Sequence, residues 1–341
     1  MDFGHLSQKA LTVTFPVSRI PLWQAPTGSI AGPELCAAVC RAGGVGSMGL
    51  TWTSPENAAQ HIHQVRSADA AAFFLVNFAL AFQPLALEAA LLAGAPCVAF
   101  SWGDPGPLVE QVHRAGALCG LQVGSPEGAK LGRKLGVDFL ICQSMEAGGH
   151  VQSSTELQTL LPAVLKEAEE VPVVAAGGMA NGFEAAHALR LGARAVMMGT
   201  RFVASLESRA HEQYKQAICR AKAGDTALTL CYRDGWPDAL HRVLRNSTLR
   251  QWEAAGCPLP GRRPGENDVV AYSAHGEPLL RYEDTAPRSG MTGNMEALCC
   301  YAGTGAGEIE TVETAEQIVK KIEAEMQYAF LMHSANAAAD S

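Results

Sequence analysis

Val171-Pro172-Val173-Val174-Ala175-Ala176-Gly177-Gly178-Met179-Ala180-Asn181-Gly182 runs from a short apolar stretch into paired glycines and then into a helix start. An apolar run, a polar or glycine turn and an amphipathic stretch make one βα unit. The same unit recurs along the first two hundred residues, with apolar runs at 22–25, 44–49, 73–78, 97–102, 118–123, 139–143, 171–176 and 195–198. Eight parallel strands with eight helices argue for an α/β protein built as a (β/α)8 barrel. A doubly wound sheet is the alternative, and eight evenly spaced units fit closure better.

The helix starts carry their own chemistry. Thr53-Ser54-Pro55-Glu56 and Ser125-Pro126-Glu127 place a hydroxyl at the N-cap, proline at the first helical position and a carboxylate in the first turn, where the helix dipole favours it. Ser153-Ser154-Thr155-Glu156 and Thr314-Ala315-Glu316-Gln317 read as capping boxes. After Arg209 the pattern turns to Pro/Gly-broken sequence read as mainly helical. The expected organisation is therefore a barrel over 1–208 and 292–341, with a helical insert over 209–291 covering the active-site side. The last helix is expected to pack back on the barrel, and the chain from Ala335 to form a frayed tail.

Composition narrows the function. The 341 residues are 48% hydrophobic and 18% charged, with 34 Asp plus Glu against 26 Lys plus Arg, a net charge of −8. Such a balance repels a phosphate backbone, so nucleic acid is not an expected partner. Arg209–Arg263 alone is locally basic, with ten Lys/Arg against five Asp/Glu, and reads as a solvated face. The longest apolar stretch, Ala70 to Phe82, is broken by Asn77 and too short for a bilayer. Met1-Asp2-Phe3-Gly4-His5 has no signal-peptide pattern, so a cytoplasmic protein with reduced thiols is expected. Cys97, Cys119 and Cys142 read as small buried hydrophobes, and no cysteine spacing suggests a metal.

In a (β/α)8 barrel the chemistry lies at the carboxyl ends of the strands. None of the eight lysines falls there, which disfavours a Schiff-base mechanism, and no Asp/Glu/His cluster suits a hydrolytic metal centre. Strands seven and eight instead end in Ala176-Gly177-Gly178 and in Met198-Gly199-Thr200. Glycines let backbone N–H groups approach an anion, a helix N-terminus adds partial positive charge, and the Thr200 hydroxyl adds a donor. These are the loops where barrels commonly hold a phosphate; tight βα turns are the plainer reading of the same glycines. Gly44-Val45-Gly46-Ser47-Met48-Gly49 also matches a dinucleotide fingerprint but lies within a strand, and is set aside. Directly after strand six, Gln143-Ser144-Met145-Glu146-Ala147-Gly148-Gly149-His150 carries two glycines that can turn His150 over the barrel mouth. A histidine there is either a base working near neutral pH or a structural residue satisfied by local backbone.

Together, Gln24-Ala25-Pro26, Ala42-Gly43-Gly44-Val45-Gly46, the Glu-Ala-Gly-Gly-His core, Ala175 to Ala180 and Gly199-Thr200-Arg201-Phe202 resemble the nitronate monooxygenase (2-nitropropane dioxygenase) family. The likeness spans about Pro21 to Phe202 and resumes from Asn294 to Ile322, with the late motif Tyr301-Ala302-Gly303. It implies an FMN-dependent TIM barrel with His150 as catalytic base, acting on a small-molecule substrate and O2; a homodimer is compatible with it. Flavin contacts implied by the resemblance are Ala25, Pro26, Thr27, Asn77, Gln122, Gln143 and Gly148, with Ala176, Gly177, Gly178, Gly199 and Thr200 at the phosphate. Ser101, Trp102 and Tyr301 fall in the implied substrate pocket. The chain departs from the family pattern at Thr27, where methionine is usual, at Gln122, often lysine, and at Val151-Gln152, commonly Arg-Gly. Ser101-Trp102-Gly103 replaces a stretch that often contains histidine. Less charge beside the flavin would shift its potential. The expected activity is oxidation of alkyl nitronates to a carbonyl compound and nitrite. An NAD(P)H:quinone or enoyl-thioester reductase on the same scaffold, or a flavin-free phosphate-binding barrel, are the alternatives.

Overall fold

A computed structural model describes residues 18–339; the Met1–His5 segment lies outside the described residues. Eight parallel strands form one sheet: β1 (Leu22–Gln24), β2 (Gly46–Gly49), β3 (Phe74–Ala79), β4 (Cys97–Ser101), β5 (Leu118–Val123), β6 (Phe139–Gln143), β7 (Val173–Ala176) and β8 (Ala195–Met198). Their order is β1-β8-β7-β6-β5-β4-β3-β2, and a parallel bridge between Trp23 and Val45 joins the two ends. The Gln24 N–H donates to the Val45 carbonyl at 2.8 Å, so the sheet closes on itself. Each strand coincides with one of the eight apolar runs, and the fold is the expected (β/α)8 barrel.

Alternation along the strands sorts the core into two layers. Trp23, Val45, Leu75, Ala99, Phe139, Ile141, Val174 and Met197 fill the barrel. Phe139 is accommodated because its neighbour across the sheet is Gly120, where a Cβ would stand 2.2 Å from the ring. The outward residues meet helices α1 (Pro33–Ala42), α2 (Pro55–Ala68), α3 (Leu87–Leu92), α4 (Leu108–Arg114), α5 (Pro126–Leu135), α6 (Leu157–Ala168) and α7 (Gly182–Arg190). Cys97, Cys119 and Cys142 are buried, as small apolar residues would be. Ser54 and Ser125 cap α2 and α5 as anticipated, accepting from Asn57 and Gly128.

Only a short helix, α8 (Thr200–Val203), follows β8 directly. The eighth outer position is filled by the last helix, α11 (Ala315–Ala339), packed between α7 and α1. Gly182 permits the approach, since a Cβ there would lie 2.4 Å from the Ile322 carbonyl oxygen. Thr314 and Gln317 form the expected reciprocal cap. The frayed tail from Ala335 is not seen as far as Ala339: the alanine-rich run propagates the helix, and residues 340–341 lie outside the described residues. Among the described residues no helix is long and apolar enough to cross a membrane.

The insert differs from its mainly helical expectation. It holds α9 (Glu212–Arg220) and α10 (Ser247–Ala254), but also the strands Thr226–Thr229, His241–Leu244, Val269–Tyr272 and Pro278–Leu280. Two of these strands are built onto the barrel: Thr226–Thr229 pairs with His241–Leu244, which pairs in turn with Gly149–His150. Strand pairing to a distant partner satisfies backbone groups that a local reading assigns to a helix. Asn246, the start of an apparent glycosylation triplet, is buried and caps α10 by accepting from Leu249.

Candidate active site

The loop after β6 is fixed from every side. The Gln143 side chain donates from Nε2 to the His150 carbonyl at 3.0 Å and accepts the Gln152 N–H at Oε1, 3.2 Å. Arg242, from the insert, donates from Nε and Nη2 to the Met145 carbonyl at 3.1 and 2.9 Å. Gly148 is wedged against the late motif, where a Cβ would stand 2.5 Å from the Gly303 nitrogen. Glu146 reaches forward to accept the Leu157 N–H at 3.0 Å, capping α6. The capping box expected at Ser153–Glu156 is therefore absent: Glu156 is the N-cap but makes no side-chain cap, and Ser153 Oγ accepts from Thr155 instead. A carboxylate from the loop after β6 displaces the local device because it also anchors that loop.

The loop carries His150 into a cavity of about 1080 Å3 at the carboxyl ends of the strands. That is as large as the roomiest small-molecule pockets, about 1,000 Å3, and suits a cofactor together with a substrate. Ala25, Pro26, Thr27, Asn77, Ser101, Trp102, Gln122, Gln143, Gly148, His150, Ala176, Gly177, Gly178, Gly199, Thr200 and Tyr301 all line it, so the structure brings every site residue named from the sequence to one cavity. Gln143 and Gln122 arrive already engaged. Gln143 holds the loop, and Gln122 donates to Gln152 at 2.9 Å. Asn77 donates to the Ala99 carbonyl at 3.1 Å.

Within the cavity lining the glycines form a cradle. Gly177 and Gly178 have φ +118° and +74°, a region that strains any side chain, and a Cβ on Gly177 would stand 2.3 Å from Ser144 Oγ. Among the described residues, the N–H groups of Gly178, Gly199 and Thr200 meet no acceptor. Thr200 Oγ1 accepts from the Gly303 N–H at 3.0 Å, which leaves its proton to donate. This donor set fits the phosphate of FMN. The helix N-terminus, however, does not contribute as the sequence suggested. The start of α7 is closed by carboxylates of α7 and α11: Glu184 takes the Ala180 and Asn181 N–H groups, and Glu325 takes that of Gly182.

In the same cavity His150 sits among rings. Trp236 lies over it at 4.3 Å between centroids and 32° between planes, with His241, Tyr301 and Trp102 at 5.4, 5.5 and 6.1 Å. Trp102 adopts φ +59°, a conformation expensive for a tryptophan, and meets Trp236 edge to face at 4.9 Å. The His150 side chain is only 12% exposed, and its Nε2 is 3.7 Å from Asp284 Oδ2. Burial, and to a lesser degree His241, pushes the imidazole down to about 3, so it is neutral at physiological pH. Burial likewise pushes the Asp284 carboxyl up to about 6, against the Tyr301 hydroxyl that donates to it at 2.9 Å. Burial pushes the His241 imidazole down, against the Ala239 carbonyl that faces Nδ1 at 2.9 Å, and its Nε2 accepts the Tyr232 N–H at 3.2 Å.

Trp236, His241 and Asp284 were not anticipated. Trp236 and His241 lie in the segment read as a solvated face and Asp284 in the rest of the insert, and the aromatic between Gly235 and Pro237 was the one local hint.

Residues 9–91 and 83–325 match the family model for nitronate monooxygenase. The chain is similar to a putative monooxygenase of Mycobacterium tuberculosis, 29% identical over 70% of this chain and 60% of that one. Among solved structures it is similar to FabK from Thermotoga maritima, with a TM-score of 0.80 and 28% identity over 93% of this chain and 96% of that one. A nitroalkane oxidase from Streptomyces ansochromogenes aligns with a TM-score of 0.73 and 25% identity, over 92% and 97% of the two chains.

Proposed function

Because the chain belongs to the nitronate monooxygenase family, whose members are flavin-dependent oxidoreductases, we propose that it oxidises alkyl nitronates to a carbonyl compound and nitrite, using FMN and O2. The observation that carries the reading is that His150 and the glycine cradle line one and the same cavity. Gly178, Gly199 and Thr200 would hold the FMN phosphate, with Ala176 and Gly177 shaping the approach. Ala25, Pro26, Thr27, Asn77, Gln122, Gln143 and Gly148 would flank the rest of the cofactor. When bound, FMN supplies the redox chemistry, taking electrons from the nitronate in a reaction completed by O2.

The protein's own side chains bind and prepare the substrate. His150, neutral and fixed through its carbonyl by Gln143, removes the α-proton of a neutral nitroalkane or hydrogen-bonds the anion already formed. Trp102, Trp236 and Tyr301 exclude water around it, and Ser101 borders the same pocket. In the presence of FMN, nitrite is expected to appear in step with O2 consumption when propionate 3-nitronate or 2-nitropropane is supplied. Flavin-loaded protein that releases nitrite from neither would overturn the reading.

The extent of the likeness to FabK favours one second reading, a flavin-dependent NAD(P)H reductase of quinones or enoyl thioesters. It uses the same cavity and cofactor, and differs in taking its electrons from a nicotinamide.

A further inference from the structure

Rings enclose His150, and one carboxyl completes the enclosure. Its Nε2 is buried, has no hydrogen-bond partner among the described residues, and faces Asp284 Oδ2 at 3.7 Å. Asp284 belongs to the insert, and its other oxygen accepts the Tyr301 hydroxyl at 2.9 Å. Tyr301 is in turn tied into the fold, its carbonyl accepting the Tyr214 hydroxyl and its backbone bridging Val243. Two distant segments thus converge to aim one carboxylate at one ring nitrogen.

We propose that Asp284 is a positioning residue for His150: its carboxylate holds the proton on Nε2, so that Nδ1 carries the lone pair that receives the α-proton of a neutral nitroalkane. This rests on the reading of His150 as the base. The Cα–H bond breaks, its proton bonds to Nδ1, and the electron pair stays on the substrate as the nitronate. Asp284 keeps its own charge throughout, which stabilises the imidazolium formed. A 3.7 Å separation is long for a hydrogen bond, and such contacts commonly tighten when substrate fills the site.

The same charge makes a second, opposite demand. A carboxylate beside the base repels a substrate that is already anionic, so the site is built for neutral nitroalkanes more than for preformed nitronates. The other titratable groups around the pair are settled. His241 has both nitrogens engaged, and the Tyr301 hydroxyl and the Cys299 thiol beside it are pushed well above their ordinary values by burial. Asp234, whose backbone meets that of Asp284, pairs with Arg263. With Asp284 raised to about 6 and His150 lowered to about 3, carboxylate and neutral imidazole coexist only above pH about 6. The rate on a neutral nitroalkane should therefore fall as pH drops through that value, while the imidazole remains neutral.

The test compares wild-type, Asp284→Asn and Asp284→Glu holoenzymes on 2-nitropropane and on its preformed nitronate across pH 5–9. Asp284→Asn is expected to cut kcat on the neutral substrate by about 10- to 100-fold, abolish the acid limb near pH 6 and lower the KM for the nitronate. Asp284→Glu should restore part of the neutral-substrate rate and the limb. Equal losses on both substrates, or an unchanged acid limb, would overturn the proposal. Wild-type protein inert toward the nitronate would instead count against the proposed function itself. Should neither variant fold, nitrogen-15 NMR of the wild-type protein, with His150→Ala to assign the ring, decides: an Nε2–H tautomer supports the proposal, and an Nδ1–H tautomer overturns it.

Discussion

His150→Ala is expected to lower the rate on neutral nitroalkanes by about 10²- to 10⁴-fold, the usual worth of a general base, and to affect the preformed nitronate far less. The asymmetry follows from the role proposed for the residue. A nitronate arrives without the α-proton, so its oxidation needs no base, whereas a neutral nitroalkane must lose that proton, and among the described residues that line the cavity His150 is the imidazole enclosed by Trp236, Trp102 and Tyr301. His241 cannot substitute, since both its nitrogens are committed to the Ala239 and Tyr232 backbone groups. Steady-state kinetics on the paired substrates, with bound flavin measured in the same samples, checks this. A variant that kept full activity on neutral nitroalkanes would remove His150 from the mechanism, and one that lost both activities together would point to a role in holding the site.

The second large effect is expected at the glycine cradle. Gly178→Ala should weaken flavin retention about tenfold or more and lower the melting temperature by a few degrees, from about 1–3 kcal/mol of strain. Two causes combine. The backbone sits at φ +74°, and the new Cβ would stand 2.9 Å from Glu146 Cβ and 3.1 Å from Thr304 Oγ1. Relief requires the loop to shift, carrying with it the N–H group proposed to meet the phosphate. Gly94→Ala is the matched control, with φ +83° and nothing within 4 Å of its Cβ. It should show the backbone strain with flavin binding intact. Equal flavin content in the two variants would mean that the phosphate lies elsewhere.

The barrel could be read from the chain because its strands are apolar runs separated by helices of ordinary length, a signal carried by local sequence. The same holds for the loops after β6, β7 and β8, whose glycines announce sharp turns. What could not be read depends on partners far away in sequence. Gly149–His150 becomes a strand only because His241–Leu244 pairs with it. Leu157 is capped by Glu146 and not by the hydroxyls just before it, since the carboxylate also secures the loop that carries His150. Asp284 lies in no motif, and its meaning comes from facing a histidine 134 positions earlier. Trp236 reads as a surface aromatic in a basic segment until the fold lays it over an imidazole.

The most direct test of a flavin oxidase built around His150 is the visible spectrum of the purified protein, recorded anaerobically before and after separate additions of propionate 3-nitronate, NADH and NADPH. A yellow protein bleached by the nitronate and indifferent to both nicotinamides is the predicted result. Bleaching by a nicotinamide but not by the nitronate would contradict it and make the protein a reductase on the same barrel, and a colourless protein that takes up no added FMN would contradict the flavin assignment as well.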